Sequence, residues 1–214
     1  MQQSVLKRLA SIWVASCCGL VDPTSALAEV PAELVIDSMD DADRRPWPPD
    51  DLGALLQLVS RDPRVQVRAR VAELVGSVWR NVPLAAAQEV LVLLCRDPSA
   101  RVRSAAGRGL AQVIERAVPA DRIELISAWS TSTDLHRRVA IARALCAQCP
   151  MFVTDLAIEQ LASDPIAEVR AAALEAAAAH FAEAPSIYAA IAQARSQDED
   201  EGVRHAARRL LMRR

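Results

Sequence analysis

Apolar positions return along most of this chain at the three- and four-residue spacing of helices that bury one face. After Asp62 the run is Val65, Val67, Val71, Leu74 and Val75; after Asp97 it is Val102, Ala106 and Leu110. After Asp164 come Val169, Ala173 and Ala176, and after Asp198 come Val203, Ala207 and Leu210. Between these runs lie five further amphipathic stretches, 51–60, 83–95, 119–130, 152–162 and 184–195, each ending just before the next Asp or Ser. The pattern predicts helices in alternating pairs, and an all-α fold.

A short polar motif punctuates the pairs. Asp62-Pro63, Asp97-Pro98 and Asp164-Pro165 each precede an arginine that stands six residues after the aspartate. One copy is degenerate: Ser132 holds the aspartate position and Arg137 the valine position, yet Arg138, Ile141, Ala144 and Leu145 fit. The arginines fall at 68, 103, 138, 170 and 204, so the motif returns every 32 to 35 residues, one helical hairpin per repeat. Asp and Ser can cap the orphan N–H groups of a helix start, and proline at a first helical position has no N–H to leave unsatisfied. The arginine is placed to reach an aspartate or a terminal carbonyl in its own or a neighbouring repeat. One hairpin cannot bury both of its faces, so the hairpins must stack.

The Asp-Pro-x-x-x-Val-Arg pattern with helix-spaced alanine and leucine resembles the HEAT repeat family, including its short bacterial members, over residues 50–214. Four of the five copies carry Val-Arg and three carry Asp-Pro. The resemblance implies a right-handed α-solenoid of about five HEAT-like hairpins with an N-terminal helical cap. It also implies a scaffold or adaptor whose second helices line a concave, protein-binding side. Registering those helices leaves a charged, solvent-facing position five residues after each arginine: Glu73, Arg108, Arg143, Glu175 and Arg209. With Arg70 and Arg213 they form the expected partner-binding ridge; a solvated helix face is the plain alternative. The ridge mixes signs, which suits a protein partner better than a phosphate backbone, whose recognition calls for an unbroken basic stripe. Nucleic-acid binding through the ridge arginines is the alternative reading. The basic end of the last repeat, with Arg208, Arg209, Arg213 and Arg214, complements a helix dipole.

Residues 1–39 form a separate N-terminal segment. Lys7 and Arg8 followed by apolar residues from Leu9 to Val21 and the triplet Ala26, Leu27, Ala28 resemble a signal peptide ending at residue 28. Val14, Ala15, Ser16 and Cys17 would also pass as a lipoprotein cleavage box. Helical phase supports the other reading, a capping helix of a cytoplasmic protein: Val5, Leu9, Ile12, Trp13 and Leu20 share one side, Lys7, Arg8 and Ser11 the other. Export and cytoplasmic residence both stand as expectations, and the apolar stretch is short for a membrane span. Pro31 to Met39 reads as a short helix, and residues 40–50, with Arg44, Arg45, Pro46, Pro48 and Pro49, as an extended linker. Its Trp47 is a candidate partner anchor, or a cover for the first repeat.

Composition narrows the chemistry. Hydrophobic residues make up 52% of the chain but aromatics only 3%, with six glycines, which suits close helix packing. A net charge of −2 gives no overall field to draw in nucleic acid. The five cysteines are Cys17, Cys18, Cys95, Cys146 and Cys149; the C-x-x-C pair at 146 and 149 lacks a second pair to complete a zinc site, so buried structural thiols are expected. His136, His180 and His205 fall in different repeats, with no H-E-x-x-H, phosphate loop or nucleophile elbow. Some HEAT-like folds resemble enzymes such as DNA alkylation glycosylases and phycobilin lyases, but neither an aromatic-lined basic groove nor a histidine and tyrosine cluster is present. The expectation is therefore no catalysis, no cofactor and no metal.

Overall fold

Local chemistry explains where each helix begins. The computed structural model describes residues 12, 22–42, 53, 56–77, 84–147 and 152–213. The helices are α1 Pro23–Ala28, α2 Ala32–Ala42, α3 Val65–Ser77, α4 Leu84–Leu94, α5 Ala100–Glu115, α6 Pro119–Ser130, α7 Leu135–Leu145, α8 Phe152–Leu161, α9 Ala167–Ala179, α10 Pro185–Arg195 and α11 Glu201–Leu211. Residues 56–59 are also helical, and the described residues hold no strand. The chain is thus an all-α fold of helical repeats. Trp47 and the rest of the linker from residue 43, with Cys17, Cys18, Trp79, Cys149 and Arg214, lie outside the described residues.

Proline opens α1, α6 and α10, where its missing N–H costs nothing. The Asp-Pro motif works differently from a helix start. The second helices α3, α5, α9 and α11 each begin three residues after the aspartate, so proline sits in the turn and not at the first helical position. There the carboxylate accepts from the N–H two residues on: Arg64 N donates to Asp62, Ser99 N to Asp97, Ile166 N to Asp164 and Asp200 N to Asp198, at 2.8–3.0 Å. This is an Asx turn, a bond that Asn and Asp make readily because the short side chain mimics a backbone carbonyl. Ser132 Oγ accepts from Asp134 N at 3.1 Å, so the degenerate copy keeps the turn without the carboxylate. Asp134 and Asp200 then cap α7 and α11.

By internal packing the chain divides into two compact units, Met1–Gly109 and Leu110–Arg214. The division falls within α5. In the first unit α2 packs on α3, and α3 on α4. α2 runs to Ala42, beyond the helix end expected at Met39; it buries Val35 and Met39, and no helix breaker follows before Pro46. Arg64 ties the N-terminal segment to the first repeat by donating to the carbonyls of Leu27, in the last turn of α1, and Val30, just past it. Gly109 lets α5 approach closely: a Cβ there would lie 2.6 Å from the Ala72 carbonyl oxygen and 3.0 Å from Leu91 Cδ2.

The second unit is a stack of hairpins. α6 and α8 pack together in one layer, α7, α9 and α11 in the other, and α10 pairs with α11. α7 buries Val139, Ile141 and Leu145, and α9 buries an almost continuous alanine run. Small side chains bring neighbouring helix axes close, so the buried face of each hairpin closes on the next.

Candidate partner-binding surface

The motif arginines hold the stack from within. Each first donates to the two turn carbonyls of its own repeat: Arg68 Nη1 to Asp62 and Pro63, Arg103 to Asp97 and Pro98, Arg138 to Ser132 and Thr133, Arg170 to Asp164 and Pro165, Arg204 to Asp198 and Glu199. Three of them also reach the next aspartate. Arg68 forks onto Asp97 at 2.6 and 3.0 Å, Arg138 onto Asp164 at 2.6 and 3.4 Å, and Arg170 Nη2 meets Asp198 at 2.7 Å. The side chains of the last pair are only 5% and 3% exposed. Burial pushes the Asp97 and Asp198 carboxyls up, but the arginine and the turn N–H outweigh it and hold both below the usual carboxylate range. Hydrogen bonds to Asp97 and Asp198 likewise raise Arg68 and Arg170 above the ordinary guanidinium value.

Other side-chain donors close the open carbonyl ends of helices. Arg122 donates to Glu115 and Ala117 after α5, His180 Nε2–H to Leu145 at the end of α7, and Arg213 to Ala178 near the end of α9. A carbonyl oxygen only accepts, so the His180 Nε2 is the donor.

The residues expected on the charged ridge are distributed as follows. In the first unit Arg70 and Glu73 pair with each other on α3 at 3.2 Å, and Arg108 is exposed, donating to Ser104 Oγ at 2.7 Å. In the second unit Arg143 is not the solvated side chain expected: it is 15% exposed and lies between Glu168 at 3.6 Å and Glu175 at 3.9 Å. α7 packs on α9, which carries both glutamates. Glu175 and Arg209 are exposed, and Arg213 is occupied by the Ala178 carbonyl. Within the units, Arg70 is thus paired with Glu73 and Arg143 with Glu175, while Arg108 and Arg209 stay exposed.

Within each unit, first helices of the hairpins expose large aliphatic side chains. Leu93 on α4, Ile123 on α6, Leu156 on α8 and Ile187 on α10 are all exposed aliphatics. In the second unit, α8 packs along α6 but makes almost no close approach to α10. A groove of about 500 Å³ runs between α8 and α10, lined by Leu156, Ile187, Ile191 and small alanines together with Asp155, Glu159 and Arg195. Within the first unit a smaller hollow, about 180 Å³, lies at the corresponding place between residues 57–61 and α4. The sequence signal for the groove is an apolar residue at a polar phase: Leu156 and Ile187 fall outside the stripe formed by Ile158 and Leu161 or by Tyr188 and Ile191.

Groups with chemistry of their own are structural. The Tyr188 hydroxyl donates to Asp155 Oδ1, and burial together with that carboxylate raises its pKa. Burial, reinforced by Glu175, pushes the Cys146 thiol up to about 12 against the opposing Arg143 charge, so it stays protonated at neutral pH. Cys95 is fully buried. The described residues contain no group of three or more His, Cys, Asp or Glu that could hold a metal, and no helix among them is long and apolar enough to cross a membrane.

No protein-family model matches the chain, and no curated protein does. Among solved structures the chain is similar to an engineered protein at 19% identity, over 89% of this chain and 94% of that one, with a TM-score of 0.38. It is similar to Cex1p at 13% identity, over 99% of this chain and 42% of that one, with a TM-score of 0.46; the chain thus spans less than half of Cex1p. It is also similar to human deoxyhypusine hydroxylase in complex with glycerol, at 14% identity, over 100% of this chain and 98% of that one, with a TM-score of 0.37.

Proposed function

We propose that this chain is a non-catalytic protein-interaction module, a scaffold or adaptor, and that its docking surface is the groove between α8 and α10. The observation that carries the reading is the pairing of Leu156 and Ile187, 50% and 42% exposed, across a groove of about 500 Å³. Covering those side chains removes apolar surface from water at about 25 cal/mol per Å². Engaging the charged ridge instead means breaking pairs that already exist, such as Arg70 with Glu73 and Arg143 with Glu175, and exposed ion pairs return about 1 kcal/mol or less each.

The test is quantitative capture from the native host, after nuclease treatment, with the wild-type chain, a Leu156→Asp/Ile187→Asp variant and an Arg108→Glu/Arg209→Glu variant. Partners lost from the first variant and kept by the second support the groove. The reverse pattern transfers the function to the ridge, and a nuclease-sensitive, salt-sensitive signal lost with the arginines would make the ligand a nucleic acid.

A further inference from the structure

We infer that the α8–α10 groove takes a single amphipathic helix carrying basic residues; this rests on the groove being a docking surface and adds what fills it. The backbone of the walls argues for a helix. Both walls are α-helices whose N–H and C=O groups are already bonded within the helix, so an extended peptide finds no sheet edge to pair with and would bury its own backbone unsatisfied. A helix brings its backbone bonds with it. The lining runs from Asp155 on α8 to Ser163 in the turn just past its end, and from Ile187 to Arg195 on α10, a length of about 12 Å at the rise of an α-helix, or two turns. Two turns present apolar residues at i, i+3 or i+4, and i+7. Ala162, Ala190 and Ala194 leave room for their side chains between the flanking Leu156 and Ile187.

Charge gives the sign. Glu159 is exposed and, among the described residues, has no ion pair or hydrogen bond. Asp155 takes the Tyr188 hydroxyl on Oδ1, a neutral donor that leaves its charge uncompensated. The cation in the lining, Arg195, donates to Ser163 Oγ at 3.0 Å and stands 3.9 Å from Asp198, so the lining holds two carboxylates to one guanidinium that points at the Ser163 end. The open charge along the groove is negative, carried by two carboxylates one helical turn apart on α8. An incoming helix with Lys or Arg beside its apolar stripe pairs with them; one with Glu or Asp there is repelled.

The experiment is selection of a random 16-residue peptide library on the immobilised full chain, with counter-selection on the folded Leu156→Asp/Ile187→Asp variant. Both substituted positions are solvent-exposed, and circular dichroism checks that the variant keeps its helices. The expected result is an enriched pattern of aliphatics at i, i+3 or i+4, and i+7 with Lys or Arg alongside. Synthetic versions should turn helical on binding, and Glu159→Lys should weaken them about tenfold, the scale of a partly desolvated charge pair. A Lys→Glu change in the peptide should recover binding to that variant. Enriched peptides that are acidic, proline-containing or indifferent to Glu159→Lys overturn the basic-helix inference while leaving the groove a docking surface. A library that returns nothing dependent on Leu156 and Ile187 overturns both.

Discussion

At the scale of the residue, this chain spends its arginines on backbone carbonyls and buried aspartates before any remain for a partner. Arg170 shows the reason. Its guanidinium holds two turn carbonyls and Asp198 at once, and removing it strands a buried carboxylate. Arg170→Ala is expected to cost about 3–5 kcal/mol in urea unfolding, the range for breaking a buried pair from one side. Arg170→Lys should recover only part, since an ammonium cannot span both carbonyls and the carboxylate. The same pairs set a pH dependence. Asp97 and Asp198 are held below the unfolded carboxyl value, about 3.9, so their contribution is fully present above that pH and lost as pH falls through the folded values. The melting temperature should therefore drop on acidification below about pH 4, and an Asp97→Asn/Asp198→Asn protein, less stable at neutral pH, should show a shallower drop. Equal slopes for the two proteins would mean that other carboxylates carry the acid sensitivity.

At the scale of the element, helix boundaries were legible because the signals that set them act within a few residues. The first helices predicted at 119–130, 152–162 and 184–195 appear as Pro119–Ser130, Phe152–Leu161 and Pro185–Arg195. That the motif proline lies in the turn before the second helix was not legible, because the Asx turn consumes the aspartate and the helix begins three residues after it. The N-terminal segment gives the sharpest element-level prediction. Leu27 is fully buried, and its carbonyl and that of Val30 accept from Arg64. A chain beginning at residue 29 loses that leucine, worth about 1.5–3 kcal/mol of burial, and one of the two acceptors. It should unfold at a lower temperature than the chain of residues 1–214; equal melting temperatures would show that the segment before residue 29 adds nothing to the fold, as a cleaved signal peptide would require.

At the scale of the whole molecule, two compact units each build their own core, and stability should be spread unevenly within them. In the second unit α9 is covered by α7 on one side and α11 on the other and buries seven residues, Val169, Arg170, Ala172, Ala173, Leu174, Ala176 and Ala177. α11 buries three, Val203, Ala207 and Leu210. Native-state hydrogen exchange should therefore be slowest in α9 and faster by at least tenfold in α11, the ratio that about 1.4 kcal/mol of local stability confers. Uniform protection across α9 and α11 would mean that the hairpins open only together.

The sequence by itself determined the hairpin period, the all-α class and the motif arginine's reach for carbonyls and aspartates, since these follow from local spacing, turn chemistry and the need of each hairpin to bury a face. Tertiary structure decided the rest. Whether Arg143 is solvated or wedged between Glu168 and Glu175, whether Arg213 is free or bonded to Ala178, and whether α8 leaves a groove against α10 all depend on how far apart two helices settle. That distance is set by side-chain volumes in elements some 30 residues apart, as Gly109 sets it against Ala72 and Leu91, and no periodicity within one helix encodes it.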